Sequence, residues 1–321
     1  MSGQVRRLKR APQRDGWKRI GAAALIISMG VFGQPTVSPA QLLYTITSET
    51  PIDLVFDDIS DFQNGVSSGP RTITIVALLT LINNKTVVVG TASNLINGPA
   101  TIPAGVVRVT SLSSEWTNHS NFLNPAAPQT VTSGITLFPV LTGRTYNLLY
   151  QVPANPALLN KPDGVYTTQL GYEFSGLLGN TASVTLNVHI QNVLGITAGG
   201  NPSFTIDQEE EFANGIILNQ TGGLTVDATQ DYDIHVSASG PFSSGTQTIP
   251  VNHLRIAVLN AGGTITGAVP LSASGSQLVN EGAAALQKGL NLRYELEGGP
   301  HLLNLPSGSY STTLVYTISA D

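Results

Sequence analysis

Two acidic clusters are the first residues whose type and spacing could do chemistry. Asp57, Asp58 and Asp61 form one; Asp207, Glu209, Glu210 and Glu211 form the other. Each follows a short apolar run and precedes a Phe-x-Asn-Gly sequence. Carboxylates crowded on one loop supply the hard oxygen ligands that calcium takes, although the spacing is not that of an EF-hand. The other reading is a solvated acidic turn. A glycosidase pair is a weaker fit, because its two carboxyl groups must converge across a cleft and not sit side by side on a loop.

A second group is aromatic. "SSEWTNHSNF" carries Trp116, His119 and Phe122 with Asn118 and Asn121 between them. Aromatic faces flanked by amides can stack on sugar rings or seat a protein partner. The competing reading of Trp116 is a core side chain at a strand end. The five histidines show no His-x-His or His-x₃-His spacing for a metal. No Gly-x-Ser-x-Gly elbow or phosphate-cradling glycine loop is present. The expectation is a protein without catalytic residues or a resident cofactor, with calcium as the single candidate ion.

The residues before these groups read as an address. Seven of the fifteen Lys and Arg residues lie between Arg6 and Arg19, ahead of the apolar run "IGAAALIISMGVFG". A basic head, a short apolar middle and the small-residue exit Ser38-Pro39-Ala40 predict a signal peptide over 1–40. The run is short for a membrane span, and an uncleaved anchor is the alternative. Export to the periplasm, cell surface or extracellular space follows. Without the leader, eight Lys and Arg face nineteen Asp and Glu, a net charge of −11. Such a surface repels a phosphate backbone, so nucleic acid is not an expected partner. There is no cysteine, which excludes disulfides and thiolate chemistry and leaves the fold to its apolar cores.

Those cores show in a repeat. "NLLYQVPANPALLNKPDGVYTTQLGYEF" begins at Asn147, and "NLRYELEGGPHLLNLPSGSYSTTLVYTI" begins at Asn291, an offset of 144 without a gap. Tyr166, Thr168, Leu170, Tyr172 and Phe174 share one parity; Tyr310, Thr312, Leu314, Tyr316 and Ile318 match them. Side chains alternate across a strand, so the conserved parity is the inward one. Upstream, "TIPAGVVRV" pairs with "TIPVNHLRI", and "LVFDDISDFQNGV" with "FTIDQEEEFANGI". Two homologous units are expected, a first over 41–182 and a second over 183–321 that opens with "VTLNVHIQ". Alternating runs such as "RTITIVALLTL", "KTVVVGTA", "YDIHVSAS" and "LNLRYELE", split by Gly and Asn turns, predict an all-β fold. The only helical candidate is "NEGAAALQKGL". Seven or so strands per unit predict two tandem immunoglobulin-like β-sandwiches.

The turn Pro162-Asp163-Gly164 leading to Tyr166, and Pro306-Ser307-Gly308 leading to Tyr310, resembles the tyrosine corner of immunoglobulin-like domains. The C-terminal "YSTTLVYTISAD" and the stretch "LTVDATQDYDIHVSASG" resemble bacterial fimbrial-subunit (pilin-like) and spore-coat-U-like exported domains. The resemblance covers much of 204–321 and, through the repeat, parts of 44–174. It implies a structural or adhesion role at the cell surface, with partner chains engaged through strand edges and no catalytic residue to carry over. "QLLYTITSE", with Leu42, Tyr44 and Ile46 on one parity, is the candidate for a donated strand; pairing within its own unit is the alternative. A carbohydrate-binding module at Trp116 is the second functional expectation.

Overall fold

The computed structural model describes residues 44–48, 51–77, 83–113, 117–136, 143–174, 182–261, 264–265, 267–303, 305–306 and 308–321. The signal peptide expected over 1–40 lies outside them. Unit one runs β1 (Tyr44–Ser48), β2 (Ile52–Phe56), helix α1 (Ile59–Asn64), β3 (Val66–Ala77), β4 (Asn83–Thr91), β5 (Leu95–Asn97), β6 (Ala100–Ile102), β7 (Arg108–Ser111), β8 (Thr117–Asn118), β9 (Ser120–Phe122), β10 (Gln129–Thr136), β11 (Gly143–Val152), β12 (Gly164–Phe174) and β13 (Ala182–Ile190). One sheet has the order β1-β3-β11-β7-β9; the facing sheet has the order β2-β13-β12-β4-β10-β8, with β5 and β6 attached at β12.

Unit two repeats that order with β14 (Leu194–Ala198), helix α2 (Glu209–Asn214), β15 (Ile216–Ala228), β16 (Tyr232–Ala238), β17 (Phe242–Ser244), β18 (Gln247–Ile249), β19 (Leu254–Val258), β20 (Thr264–Ile265), β21 (Val269–Pro270), β22 (Ser276–Gly282), β23 (Ala285–Leu296) and β24 (Leu314–Ala320). Its two main sheets are β14-β15-β23-β19-β21 and β20-β22-β16-β24, and β17 and β18 form a separate hairpin. Each unit therefore buries the inward faces of two sheets against each other. The alternation read from sequence is observed on β12, where Tyr166, Thr168, Leu170 and Tyr172 are buried, and on β24, where Leu314, Tyr316 and Ile318 are half-buried between exposed neighbours. On β23, Leu290, Leu292 and Tyr294 are buried. The hydroxyl of Tyr166 donates to the Pro162 carbonyl at 2.9 Å, and that of Tyr310 to the Pro306 carbonyl at 3.0 Å. Both tyrosine corners are thus made.

Three expectations are corrected, and a fourth point is decided between two readings. First, the strand opening at Ala182 does not begin unit two. It pairs antiparallel with β12, from Gly164↔Ile190 to Tyr172↔Ala182, and parallel with β2, from Leu186↔Ile52 to Ile190↔Phe56. The division at 182/183 therefore cuts a strand from the sheet it completes; Val184, Leu186 and Val188 fill the core of unit one. Second, the acidic clusters are not bare turns but N-termini of the one-and-a-half-turn helices α1 and α2. Third, "NEGAAALQKGL" lies in β22 and β23, because Leu278 and Leu290 point into the unit-two core. Fourth, of the two readings of "QLLYTITSE", its described part Tyr44–Ser48 follows the ordinary one and not donation: it pairs within its own unit, Tyr44↔Ala77 through Ser48↔Ile73.

The Phe-x-Asn-Gly sequences are explained by these helices. Phe62 turns inward from α1 and meets Phe56 with ring centroids 5.2 Å apart. Gly65 and Gly215 then stop the helices at φ of 83° and 80°. A Cβ at Gly65 would strike the Val152 carbonyl, and one at Gly215 the Leu296 carbonyl. Only glycine meets both the left-handed φ and the close approach.

Candidate functional site

The carboxylates expected to crowd around calcium face their own backbone. Asp61 Oδ2 accepts from the N–H groups of Asp57 and Asp58 at 3.2 and 3.0 Å, and Asp58 Oδ1 accepts from Ser60 N at 2.9 Å. Glu211 Oε2 accepts from Asp207 N and Gln208 N at 2.9 and 3.1 Å, and Asp207 Oδ1 accepts from Gln208 Nε2. This is helix N-capping, which satisfies donors the first turn cannot pair. Glu209 and Glu210 project from the first turn of α2 into solvent. Among the described residues no three His, Cys, Asp or Glu side chains are grouped to hold a metal ion.

Trp116 lies outside the described residues. His119 sits where the chain leaves β8, in one sheet, and enters β9, in the other. Its Nε2 is 2.9 Å from Ser133 Oγ. Phe122 is 48% exposed, opposite Arg108 on β7. The structure thus places an exposed aromatic at this corner and ties His119 to β10.

A different site emerges from comparing the units. In unit one, β12 has a neighbour on both sides, because β13 fills the place between β12 and β2. In unit two, β24 holds the position of β12 and pairs with β16 from Tyr232↔Ala320 to Ala238↔Leu314. Among the described residues no strand pairs with its other edge. Leu314, Tyr316 and Ile318 lean on the core yet stay half-buried, whereas Leu170 and Tyr172 are buried completely.

The counterpart of β2 is also left open. Residues 202–206 match Ile52–Phe56 at an offset of 150 but form no strand. Phe204 and Ile206 are half-buried against the unit-two core, with Ser203 and Thr205 exposed between them. In unit one, Ile52, Leu54 and Phe56 are buried. The alternation for a strand is present; among the described residues no strand pairs with it. Unit two therefore presents an unpaired backbone edge on β24 beside an apolar strip at Phe204 and Ile206. An incoming strand with apolar residues at every second position would pair with that edge and cover the strip.

The corresponding joint in unit one shows what such pairing adds. On the outer face of the β2–β13 pair, Asp53 Oδ1 accepts from Asn187 Nδ2 at 2.8 Å and lies 3.0 Å from His189 Nε2. Partial burial pushes the Asp53 carboxyl up, but hydrogen bonds from His189 and Asn187, with the charges of His189 and Arg71, outweigh it and hold the pKa below the usual value. Sequence reading placed His189 on the polar parity but found no partner for it, because the two strands lie 134 residues apart at the Asn187–Asp53 bond.

The chain matches no family model, and no curated protein matches its sequence. Among solved structures it is similar to the CsuC–CsuE chaperone–tip adhesion subunit pre-assembly complex of Acinetobacter baumannii Csu pili, at 10% identity over 85% of this chain and 99% of that one, with a TM-score of 0.37. It is also similar to the CupB6 tip adhesin of Pseudomonas aeruginosa, at 11% identity over 87% and 93%, TM-score 0.38. A family 123 glycoside hydrolase from Clostridium perfringens matches over 47% of this chain and 28% of its own, TM-score 0.28. Scores this low carry no argument about function. The all-β, two-sandwich fold stands on the strand pairing itself. No helix among the described residues is long and apolar enough to cross a membrane.

Proposed function

We propose that this chain is a non-enzymatic, exported structural or adhesion protein of the bacterial cell surface, whose second sandwich receives a strand from another protein chain. The single observation that carries the reading is the free edge of β24 beside Phe204 and Ile206, at the place that β13 fills in unit one. The incoming strand would run antiparallel to β24 and parallel to 202–206, as β13 runs to β12 and β2. Its apolar residues would stand where Val184, Leu186 and Val188 stand. Burying each such side chain stabilises by roughly 1.5–3 kcal/mol, so three or four of them are enough to make the joint durable.

The test supplies the strand covalently. Residues 175–191 are copied after Asp321, so that the chain can complete its own second unit. The expected result is a raised melting temperature and slowed hydrogen exchange along β24. An appended segment that stays protease-sensitive and leaves β24 exchange unchanged would sink the reading. A second reading, a carbohydrate-binding module at the β8–β9 corner, is supported by the exposed ring of Phe122. Glycan-array binding lost in Phe122→Ala with unchanged melting would favour it.

A further inference from the structure

The turn after β23 is held differently from its counterpart after β11. In unit one, Asn155 Oδ1 accepts from Ala157 N at 2.9 Å and caps the short 3₁₀ turn Pro156–Leu158. An amide side chain does not change charge with pH, so neither does that cap. In unit two Gly299 stands at the place of Asn155 and has no side chain to offer. The backbone bonds of the turn are kept. Leu158 N donates to the Asn155 carbonyl at 3.1 Å, and Leu302 N to the Gly299 carbonyl at 3.0 Å. Leu158 and Leu302 are both buried.

A cluster of ionisable groups takes over from the cap. Val106, Pro153 and Ala157 of unit one become His253, Glu297 and His301 in unit two. The imidazole rings of His253 and His301 stack, with centroids 3.6 Å apart and planes 5° from parallel. His253 Nδ1 lies 3.0 Å from Glu297 Oε2, and His301 Nε2 lies 2.9 Å from the Glu297 carbonyl oxygen. A carboxylate and a carbonyl only accept, so a neutral ring at either place carries its proton on the bonded nitrogen. His253 Nε2 and His301 Nδ1 are then the atoms that take up a further proton. The stack staples the turn 299–303 to the 3₁₀ turn Val251–His253 that leads into β19. Gly299 N also donates to the Phe212 carbonyl at 2.8 Å, which ties the turn to α2.

We propose that His253 and His301 form an acid-sensitive latch on the turn 299–303 of unit two: charging both rings breaks their stack and frees the turn. Histidine is the side chain that changes charge between about pH 5 and 8. One imidazolium is matched by Glu297, whose carboxyl is held below its usual value by the hydrogen bond from His253, with the charges of His301 and Arg255 acting in the same direction. A second imidazolium sets two like charges face to face at 3.6 Å with one carboxylate for both, and like charges so close oppose the contact. Around the cluster stand Arg255 on β19, paired in register with Glu295 on β23, and Glu209 on α2, which lines a hollow with Gly299 and Leu302. The hold is therefore present while the rings are neutral and is lost as pH falls. Leu302, 1% exposed, is uncovered when the turn lifts. Unit one keeps its amide cap and does not respond. The latch involves neither the β24 edge nor an incoming strand, so its failure and the failure of the strand-acceptor reading are separate.

Amide exchange of the full-length chain, corrected for the intrinsic pH dependence of exchange, tests this. Protection at Leu302 and Leu303 should fall by about tenfold between about pH 8 and pH 5, while Leu158 and Leu159 keep theirs. His301→Gln retains a donor for the Glu297 carbonyl and cannot be charged, so it should abolish the step. His253→Val/His301→Ala, which installs the unit-one residues, should abolish it too. Glu297→Gln should move the step to lower pH, because the carboxylate that favours a charged ring is gone; a merely structural role for Glu297 would not move it. Unchanged protection in the wild-type chain, an equal fall at Leu158, or a step that survives in His301→Gln overturns the proposal.

Discussion

The hydroxyl groups of Tyr294 and Tyr316 meet at 3.1 Å between the two sheets of unit two, and 144 residues earlier Tyr150 and Tyr172 meet at 2.5 Å between the sheets of unit one. Each pair joins the sheet of β11 or β23 to that of β12 or β24. Inside an apolar layer a hydroxyl without a partner is costly, so the two phenols satisfy each other.

Tyr172→Phe should therefore destabilise unit one by about 1–3 kcal/mol, because Tyr150 keeps a buried hydroxyl with no partner. The double variant Tyr150→Phe/Tyr172→Phe should recover most of that loss. Chemical denaturation of the four proteins of the cycle checks this. Burial pushes Tyr172 up to about 12 from 10.0. A raised pKa means the folded state holds the proton more tightly. The contribution is whole below pH 10 and declines as pH rises through the folded value, and Tyr172→Phe should shrink that alkaline limb.

Acid acts on a different joint. Asp53 titrates below 3.8 in the fold, so its contribution is present above that value and is lost as pH falls through the lower, folded one. Asp53→Asn should flatten the fall in melting temperature between neutral pH and about pH 2. An acid limb identical to that of the wild-type chain would contradict the assignment.

Gly65→Ala and Gly215→Ala each force a side chain into a left-handed φ and against a carbonyl. Each should destabilise its unit by more than about 1 kcal/mol. Circular dichroism melts give the measurement, with Gly69→Ala as the comparison: its φ is 72° but nothing lies near a Cβ there. If all three variants lose the same amount, φ alone decides and the carbonyl contact adds nothing.

Amide exchange should rank the two matching strands. β12 is paired on both sides and β24 on one, so β24 amides that face the open edge should exchange much faster than their β12 counterparts. Equal protection would mean that the edge is covered.

Much of this fold was legible in alternation. The period of two on β12 named Tyr166, Thr168, Leu170 and Tyr172 as buried, and on β24 it marked the parity of Leu314, Tyr316 and Ile318 that leans on the core. Partnership was not legible. "VTLNVHIQ" reads as a strand from any direction, and nothing in its alternation says which sheet it joins. The usable signal was the repeat itself: the blocks of unit two that match unit one, such as "FTIDQEEEFANGI" against "LVFDDISDFQNGV", all begin after "VTLNVHIQ". The helices α1 and α2 were missed because six residues are too few to show a helical period. Their marks were the acidic residue three positions past Asp58 or Gln208 and the glycine after Asn64 or Asn214. The open edge of unit two was invisible for the same reason as β13's place, since an unpaired edge is a relation between strands and not a pattern within one.

The parallel pairing of β2 with β13 has a mechanical meaning. Tension entering before Ile52 and leaving after Ile190 pulls two side-by-side strands in opposite directions along their length. Every bond between them is then loaded at once, like a lap joint, and must fail together. Unit two, lacking that seam among its described strands, would peel first, and a strand arriving at β24 would turn the weaker link into a second clamp.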